Sequence, residues 1–302
     1  MLTTAQAVLE RARELAKKRK PIVAVAGADD IHVLEAMKAA HEDGIAGAIL
    51  VGSAAKIRAK MNELQMDPSG FEVLDADGVK PSVARAVEMC SLGKAHVLQK
   101  GKVPTPDLMR ALLNPKAGLR QGRLLSHCAV MEVEGYPKLL TCTDGGVVVA
   151  PDFHQKLAIV ENAVRLTRLL GVKEPRVALL GAVDAPDPDI PSSVEAAAVA
   201  RACVLGGITP YAEGPLTMGT VLGKSDNIHW HSGVVGEPDI LVSHAIEETN
   251  IGLKSLIYFR NATMLGVITG AKVPLSVVSR ADPPHNKLVS LALAVVMAGE
   301  EA

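Results

Sequence analysis

Two stretches far apart in the chain carry residue types that could hold an anion. Residues 100–106 read Lys-Gly-Lys-Val-Pro-Thr-Pro, between an apolar stretch (Ala95, Val97, Leu98) and a helical pattern, LMRALL. Gly101 would let backbone approach a ligand closely. Lys100, Thr105 and the first N–H groups of the helix could all point at one anion, the chemistry of a phosphate cradle. The competing reading is an ordinary strand–loop–helix link with solvated lysines, and neither a P-loop nor a dinucleotide fingerprint is present. The second stretch, Ser279-Arg280-Ala281-Asp282-Pro283-Pro284, closes the last expected strand. Arginine suits bidentate recognition of phosphate. Asp282 could take a proton from an incoming nucleophile, or it could merely pair with Arg280 or cap the next helix.

Other constellations read more plainly. Thr143-Asp144-Gly145-Gly146 and Glu213-Gly214-Pro215 are turn-forming sequences with one carboxylate each. Ser126 and His127 are neighbours on an expected strand, so their side chains point to opposite faces and cannot form a nucleophile–base couple. The G-x-S-x-G elbow of a serine hydrolase is absent. His229, Trp230 and His231 read as a surface loop rather than a metal cluster. Asp184, Asp187 and Asp189 lie among prolines, in a loop read as solvated rather than ion-binding.

The elements that must position these residues follow from hydrophobic pattern. The chain has 302 residues, enough for one large or two medium domains. Its apolar mass is Ala, Val, Leu and Ile, which suits a buried parallel sheet covered by helices. Strands at 22–27, 46–53, 71–77 and 95–101 alternate with helices, the signature of a doubly wound sheet. Asp30 is an expected N-cap. Gly135-Tyr136-Pro137 is an expected hairpin turn. After it the alternation restarts, with a helix at 154–171, a strand at 176–183, a helix with Ser192 and Glu195 in capping-box spacing, a strand at 238–244, a helix at 252–266 and a strand at 274–280. In such folds ligands sit beyond the carboxyl ends of the strands, where Asp29, Ser53, Asp75 and Lys100–Thr105 fall.

Composition removes several classes. The formal net charge is −1 and aromatics are 2% of residues, so neither a nucleic-acid footprint nor a base-stacking platform is expected. The four cysteines are scattered with no C-x-x-C pair, which argues against structural zinc and for reduced thiols in the cytoplasm. The first twenty residues read as a basic amphipathic helix rather than a signal peptide. No run of apolar residues is long enough to propose a membrane span.

Taken in order, the motifs form a recognisable set. They are Lys100-Gly101 with Thr105 and Arg110, Gly118-Leu119-Arg120, Leu125-Ser126-His127, Thr143-Asp144, Ser192-Ser193-Val194-Glu195, Gly214-Pro215-Leu216, Pro238-Asp239-Ile240, Asn250 with Lys254, Gly270-Ala271-Lys272 and Ser279-Arg280-Ala281-Asp282. The chain resembles the phosphate acetyl/butyryltransferase family, nearest its butyryltransferase branch, over essentially its whole length. The resemblance implies an α/β fold of two three-layer domains similar to isocitrate and isopropylmalate dehydrogenases, with an interdomain cleft. Residues 1–135 and 272–302 would form the first domain and 136–271 the second. It implies reversible conversion of acyl-CoA and inorganic phosphate to acyl phosphate and CoA, by direct attack in a ternary complex. The expected acyl group is short or branched. No bound cofactor or metal is implied, since CoA is a substrate, and the expected assembly is a homodimer or a larger homo-oligomer. Ser279, Arg280 and Asp282 are the implied catalytic set. Lys100, Gly101, Thr105, Arg110, Ser126, Asp144, Gly214, Asn250 and Lys254 are the implied phosphate and substrate contacts.

The chain departs from the family pattern in the second domain. The usual Asp-Gly-Pro is Glu213-Gly214-Pro215, the usual Gly before Asn250 is Thr249, and the common Tyr before Lys254 is Leu253. These departures admit a different acyl group. They also keep open a non-catalytic CoA- or acyl-phosphate-binding paralogue. A metal- and NAD-dependent decarboxylating dehydrogenase of the same fold is a weaker alternative, because no aspartate pair at one-turn helical spacing occurs in the second domain.

Overall fold

The computed structural model describes residues 1–224, 233–277 and 283–300. The elements run α1 (Ala5–Lys18), β1 (Ile22–Ala26), α2 (Ile31–Glu42), β2 (Gly47–Gly52), α3 (Ala54–Glu63), β3 (Phe71–Asp75), α4 (Val79–Ser91), β4 (Val97–Lys100) and α5 (Thr105–Leu112). Next come β5 (Ser126–Glu132), β6 (Leu140–Thr143), α6 (Phe153–Leu169), β7 (Arg176–Leu180), α7 (Pro191–Leu205), β8 (Tyr211–Leu216), α8 (Met218–Val221), β9 (Ile240–Val242) and α9 (Ile246–Arg260). The chain ends with β10 (Thr263–Thr269), β11 (Leu275–Ser276) and α10 (Pro284–Glu300). It divides into two compact units, Gln6–Arg123 with Leu265–Ala302, and Met1–Ala5 with Leu124–Met264.

In the first unit the strand order is β3-β2-β1-β4-β11-β10. All neighbours are parallel except β10 and β11, which run antiparallel. β1 and β2 read IVAVA and GAILVG, and Val23–Ala26 and Gly47–Gly52 are buried throughout. Unbroken apolar runs of this kind are stable only with helices on both faces. One cover is α10, whose buried residues run from Asn286 to Met297 all round the helix. It packs against α2, β4 and β11. Asp30 caps α2, accepting the His32 N–H at 3.0 Å, as its position before the helix predicts.

In the second unit the order is β5-β6-β9-β7-β8. β6, β9, β7 and β8 are parallel, and β5 joins β6 as an antiparallel hairpin around Gly135, whose φ is +83°. One sheet face carries Ala129, Met131, Leu140, Cys142, Ala178 and Leu241, packed with Leu253 and Leu256 of α9. On the other face Thr141 Oγ1 meets Thr167 Oγ1 of α6 at 3.2 Å. The unit limits fall at 123/124 and 264/265, whereas the sequence places domain limits at 135/136 and 271/272. The β5–β6 ladder carries 124–135 into this unit, and the β10–β11 ladder carries 265–271 into the other.

Two elements differ from the sequence reading. The helix expected over 252–266 stops at Arg260, because Asn261 takes the left-handed conformation (φ +49°) and ends it. The following TMLGVIT is strand β10, where Thr263, Val267, Ile268 and Thr269 favour the extended state. The capping box expected at Ser192 and Glu195 does not form. α7 begins with Pro191 at its first position, after Ile190. The box lies instead at Asp152 and Gln155, at the start of α6.

One titratable group is built into the β1–β4 seam. His96 Nδ1 accepts the Ile22 N–H at 3.1 Å, and the His96 N–H donates to Ile22 O at 2.8 Å. Its buried Nε2 finds no hydrogen-bond partner among the described residues. Burial first, and the charge of Arg19 second, push the imidazole below its ordinary value of 6.5. The unfolded chain therefore takes up this proton near pH 6.5 while the folded chain resists it, so the stabilisation is complete above that pH and is lost as pH falls toward the folded value. The urea midpoint of the wild type is expected to fall between pH 7.5 and pH 5. In His96→Gln, which keeps an acceptor but does not titrate, the fall is expected to be smaller. Equal falls would remove His96 from the acid response.

Candidate active site

The 100–105 element leaves β4 beside β1, with Lys100 in register with Ala26. Gly101 N–H donates to Ala26 O at 2.9 Å and Lys102 N–H to Gly27 O at 2.8 Å. A Cβ on Gly101 would lie 2.3 Å from Gly27 O. The close approach that this glycine permits is thus to the end of β1, a neighbour that the sequence reading did not name. Thr105 opens α5 after Pro104, which gives no side-chain cap. The first turn of α5 holds a carboxylate of its own, Asp107, which accepts from Arg110 Nη1 at 2.8 Å. Arg110 is mostly exposed, and such a surface pair contributes at most about 1 kcal/mol. The structure ties Arg110 to Asp107 on the surface of α5.

Ser279, Arg280 and Asp282 lie outside the described residues, as do His229, Trp230 and His231. The strand that leads toward the first three, β11, is parallel to β4, with Ser276 opposite Gln99. Parallel neighbours end on the same edge, so the chain leaves β11 at Val277 beside the chain leaving β4 at Lys100.

In the second unit Asp144 and Asn250 come together. Asp144 is buried, and its carboxylate accepts the N–H groups of Gly146 (2.8 Å), Val147 (3.0 Å) and Val148 (3.1 Å). It therefore shapes its own loop, and the turn reading of this sequence holds. Asn250 Nδ2 donates to Gly145 O at 3.4 Å. Lys254 stands one helical turn later on the same stripe of α9. The His127 ring lies against Gly145 and Gly146, where added Cβ atoms would meet it at 3.4 Å. Ser126 is fully buried, and its Oγ accepts from Asn162 Nδ2 at 2.9 Å. Asn162 also donates to Leu124 O at 2.8 Å, so Ser126 is locked against α6. Gly214 serves packing, because a Cβ there would lie 2.5 Å from Leu179 Cβ, at the irregular step between β7 and β8. Beside it, burial raises the Glu213 carboxyl above its ordinary value.

The sequence reading missed a charge cluster at the carboxyl end of β9. Lys156 of α6 is buried, ion-paired with Glu195 of α7, and its Nζ lies 2.9 Å from His244 Nδ1. His244 Nδ1 is 3.2 Å from the Glu195 carboxylate. The available signal was Lys156 itself, which sits on the buried stripe with Ile159, Val160 and Ala163 at helical spacing. A lysine there requires a partner.

Other polar groups are used structurally. Asp184 accepts from Thr217 N–H (2.6 Å), Thr217 Oγ1 (3.2 Å) and Thr220 Oγ1 (2.9 Å) at the start of α8. Asp187 accepts the Asp189 N–H at 2.9 Å. No group of three or more His, Cys, Asp or Glu side chains is placed to hold a metal ion among the described residues. Burial pushes the thiols of Cys90, Cys128, Cys142 and Cys203 up to about 12, which removes them as nucleophiles at neutral pH.

The Lys156–Glu195 pair gives an asymmetric expectation. Glu195→Ala leaves a buried ammonium without its carboxylate and should cost about 3 kcal/mol in urea unfolding. Lys156→Met replaces the stem with apolar volume and leaves a carboxylate that water can reach, so its loss should be clearly smaller. A larger loss for Lys156→Met would reverse the assignment of which charge is the buried one.

Known proteins bear on this arrangement. The model of the family described as phosphate acetyl/butaryl transferase matches residues 6–84 and 77–295. A phosphate butyryltransferase of Clostridium acetobutylicum is 37% identical over 284 residues, 92% of this chain and 94% of that protein. A phosphate acetyltransferase of Thermotoga maritima is 33% identical over 96% of this chain and 99% of its own. The crystal structure of a branched-chain phosphotransacylase from Enterococcus faecalis superposes with a TM-score of 0.82 at 28% identity, covering 92% of this chain and 99% of that one. A 4-hydroxythreonine-4-phosphate dehydrogenase from Klebsiella pneumoniae, at 15% identity and a TM-score of 0.57 over 93% and 100% of the two chains, shares the fold alone. The α/β dehydrogenase-like architecture expected from the sequence is the one observed.

Proposed function

The chain belongs to the phosphate acetyl/butyryltransferase family, and from that premise we propose the reaction it carries out, acyl-CoA plus inorganic phosphate giving acyl phosphate plus CoA, reversibly. It is a phosphate acyltransferase. The observation that carries this reading is family membership across almost the whole chain, with relatives named as transferases at up to 37% identity. The dehydrogenase alternative rests on fold relatives at 15% and 14% identity, which share the fold alone. A binding-only paralogue has no observation in its favour beyond the departures at Glu213, Thr249 and Leu253.

A phosphate oxygen adds to the thioester carbonyl carbon. The C–S bond then breaks, and its electron pair leaves on the CoA sulfur, which takes up a proton. In reverse, the thiol gives its proton to a base and attacks the acyl phosphate. Binding both reactants in one ternary complex removes the entropic cost of their meeting. Arg280 and the Lys100–Thr105 element bind the phosphate, Ser279 steadies the thiolate by hydrogen bonding, and Asp282 is the base. Arg280 and backbone N–H groups supply donors for the tetrahedral oxyanion. Ser126 is buried against Asn162, and we assign it to holding the end of β5 in place. Asp144 and Asn250 shape the loop facing α9, and Lys254 extends that stripe. The acyl group is short or branched, and no metal or bound cofactor takes part. We further propose a homodimer or larger homo-oligomer, for which the exposed Ile251, Tyr258 and Phe259 on α9 offer an apolar surface. We place the protein in the cytoplasm, where its four free thiols stay reduced. Among the described residues no helix is long and apolar enough to cross a membrane.

Purified protein given acyl-CoAs with and without phosphate should release free CoA thiol only when phosphate is present. CoA binding without turnover on any acyl group would replace the transferase by the binding paralogue. Arg280→Ala should raise the phosphate KM about tenfold or more, the scale of a lost charge-assisted contact. His229→Asn should change it far less, and equal effects would take Arg280 out of the phosphate site.

A further inference from the structure

Two buried polar side chains at one edge of the first unit lack a hydrogen-bond partner among the described residues. They are Ser276, at its Oγ, and Asn286, at its Nδ2. Ser276 is fully buried at the end of β11, and Asn286 is 4% exposed in the first turn of α10. A buried donor without an acceptor carries its full desolvation cost, so native folds keep such a group where something else supplies the acceptor. His96 Nε2 is also unpartnered, but it lies where β4 begins, at the opposite end of the sheet.

The placement of Asn286 follows from its own helix. Ser290 stands one turn later on the same stripe, and its Oγ accepts the Gly266 N–H at 2.9 Å. Gly266 O in turn accepts the Val277 N–H at 3.4 Å, just past the end of β11. Asn286 is about 6 Å nearer the start of α10 at 1.5 Å per residue. Because α10 follows β11 and packs back on β11 and β4, that displacement carries Asn286 beyond the carboxyl end of the strand. β4 is parallel to β11 with Gln99 opposite Ser276, so Lys100 ends its strand at the same edge. Doubly wound sheets bind small ligands beyond this edge.

The groups that α10 brings here donate or carry positive charge. Asn286 Nδ2 can only donate. The helix runs 17 residues, Pro284–Glu300, with no acidic residue in its first turn. The first N–H groups of a helix have no acceptor within it, and the aligned peptide dipoles add positive charge at that end. Lys287, next in sequence, brings a buried ammonium. An occupant suited to this place presents acceptor oxygens and negative charge. A thioester carbonyl is a poorer match, because it carries no net charge for the helix end to attract.

We propose that the Asn286 amide and the first turn of α10 hold an oxygen of the inorganic phosphate that attacks the thioester. Asn286 is then a substrate contact. This inference rests on the transferase reading above and adds a residue that the reading leaves out.

The test uses inorganic phosphate with the full-length wild type, Asn286→Leu and Asn286→Ala. Leucine keeps most of the volume and removes the donor; alanine removes it with no risk of overpacking and serves if the leucine variant does not fold. Phosphate should raise the urea midpoint of the wild type by binding the folded state, and should raise that of the variants much less. In phosphate-dependent CoA release from butyryl-CoA, the variants should raise the phosphate KM about tenfold, the scale of a lost hydrogen bond to a charged group. Their KM for butyryl-CoA should stay near the wild-type value. A phosphate KM and a phosphate-induced shift that both match the wild type would overturn the assignment and leave the amide to a bound water. A lowered kcat with an unchanged phosphate KM would also overturn it, placing the amide on the acyl carbonyl instead. A wild type that phosphate stabilises through Asn286, but that releases no CoA from any acyl-CoA, would fail the transferase reading and leave the anion site standing.

Discussion

Strands buried on both faces must send their polar groups to their ends. β1 and β2 contain no polar side chain and pair their backbone along the ladders, so polar side chains and turn contacts gather where the strands finish. Gly101 and Lys102 donate to the end of β1, and Asp75 at the end of β3 accepts the Ala54 N–H that opens α3 at 2.9 Å. In the second unit Asp144 holds the loop after β6, and the Lys156–Glu195–His244 cluster closes the end of β9. The edge at which a substrate can be bound is thus the edge at which each unit ties itself together, and the two demands compete for the same side chains.

That competition explains which parts were legible in the sequence. The alternation of strands and helices, the Asp30 cap and the 135–137 hairpin each follow from local pattern and agree with the structure. What failed depended on a single conformation or a distant partner. The first four residues of β10 fall within the helix expected over 252–266, and one left-handed residue, Asn261, ends that helix before them. Ser192 and Glu195 have capping-box spacing, yet Glu195 is committed to Lys156, thirty-nine residues away in the chain.

The candidate site divides along the same line. Asp144 and Asn250, separated by more than a hundred residues, meet at one loop that no local pattern could have joined. Gly101 and Gly214 carry a different lesson. Both are glycines in motifs suited to ligand binding, and in both the missing Cβ makes room for the protein's own backbone or side chain. Buried Ser126 behaves similarly, since its oxygen is already engaged by Asn162. Such residues hold the shape of a loop end, and substitutions there act on stability before they act on chemistry.

Helix α9 separates the two kinds of duty on adjacent stripes. Asn250 and Lys254 are four residues apart, as are Thr249 and Leu253, and the two pairs are rotated by one residue, roughly 100° about the helix axis. The first pair belongs with the polar loop, and Leu253 of the second with the apolar sheet face. Thr249 also reaches that loop, its Oγ1 donating to Thr143 O at 3.5 Å, so the two stripes meet at the turn that Asp144 holds.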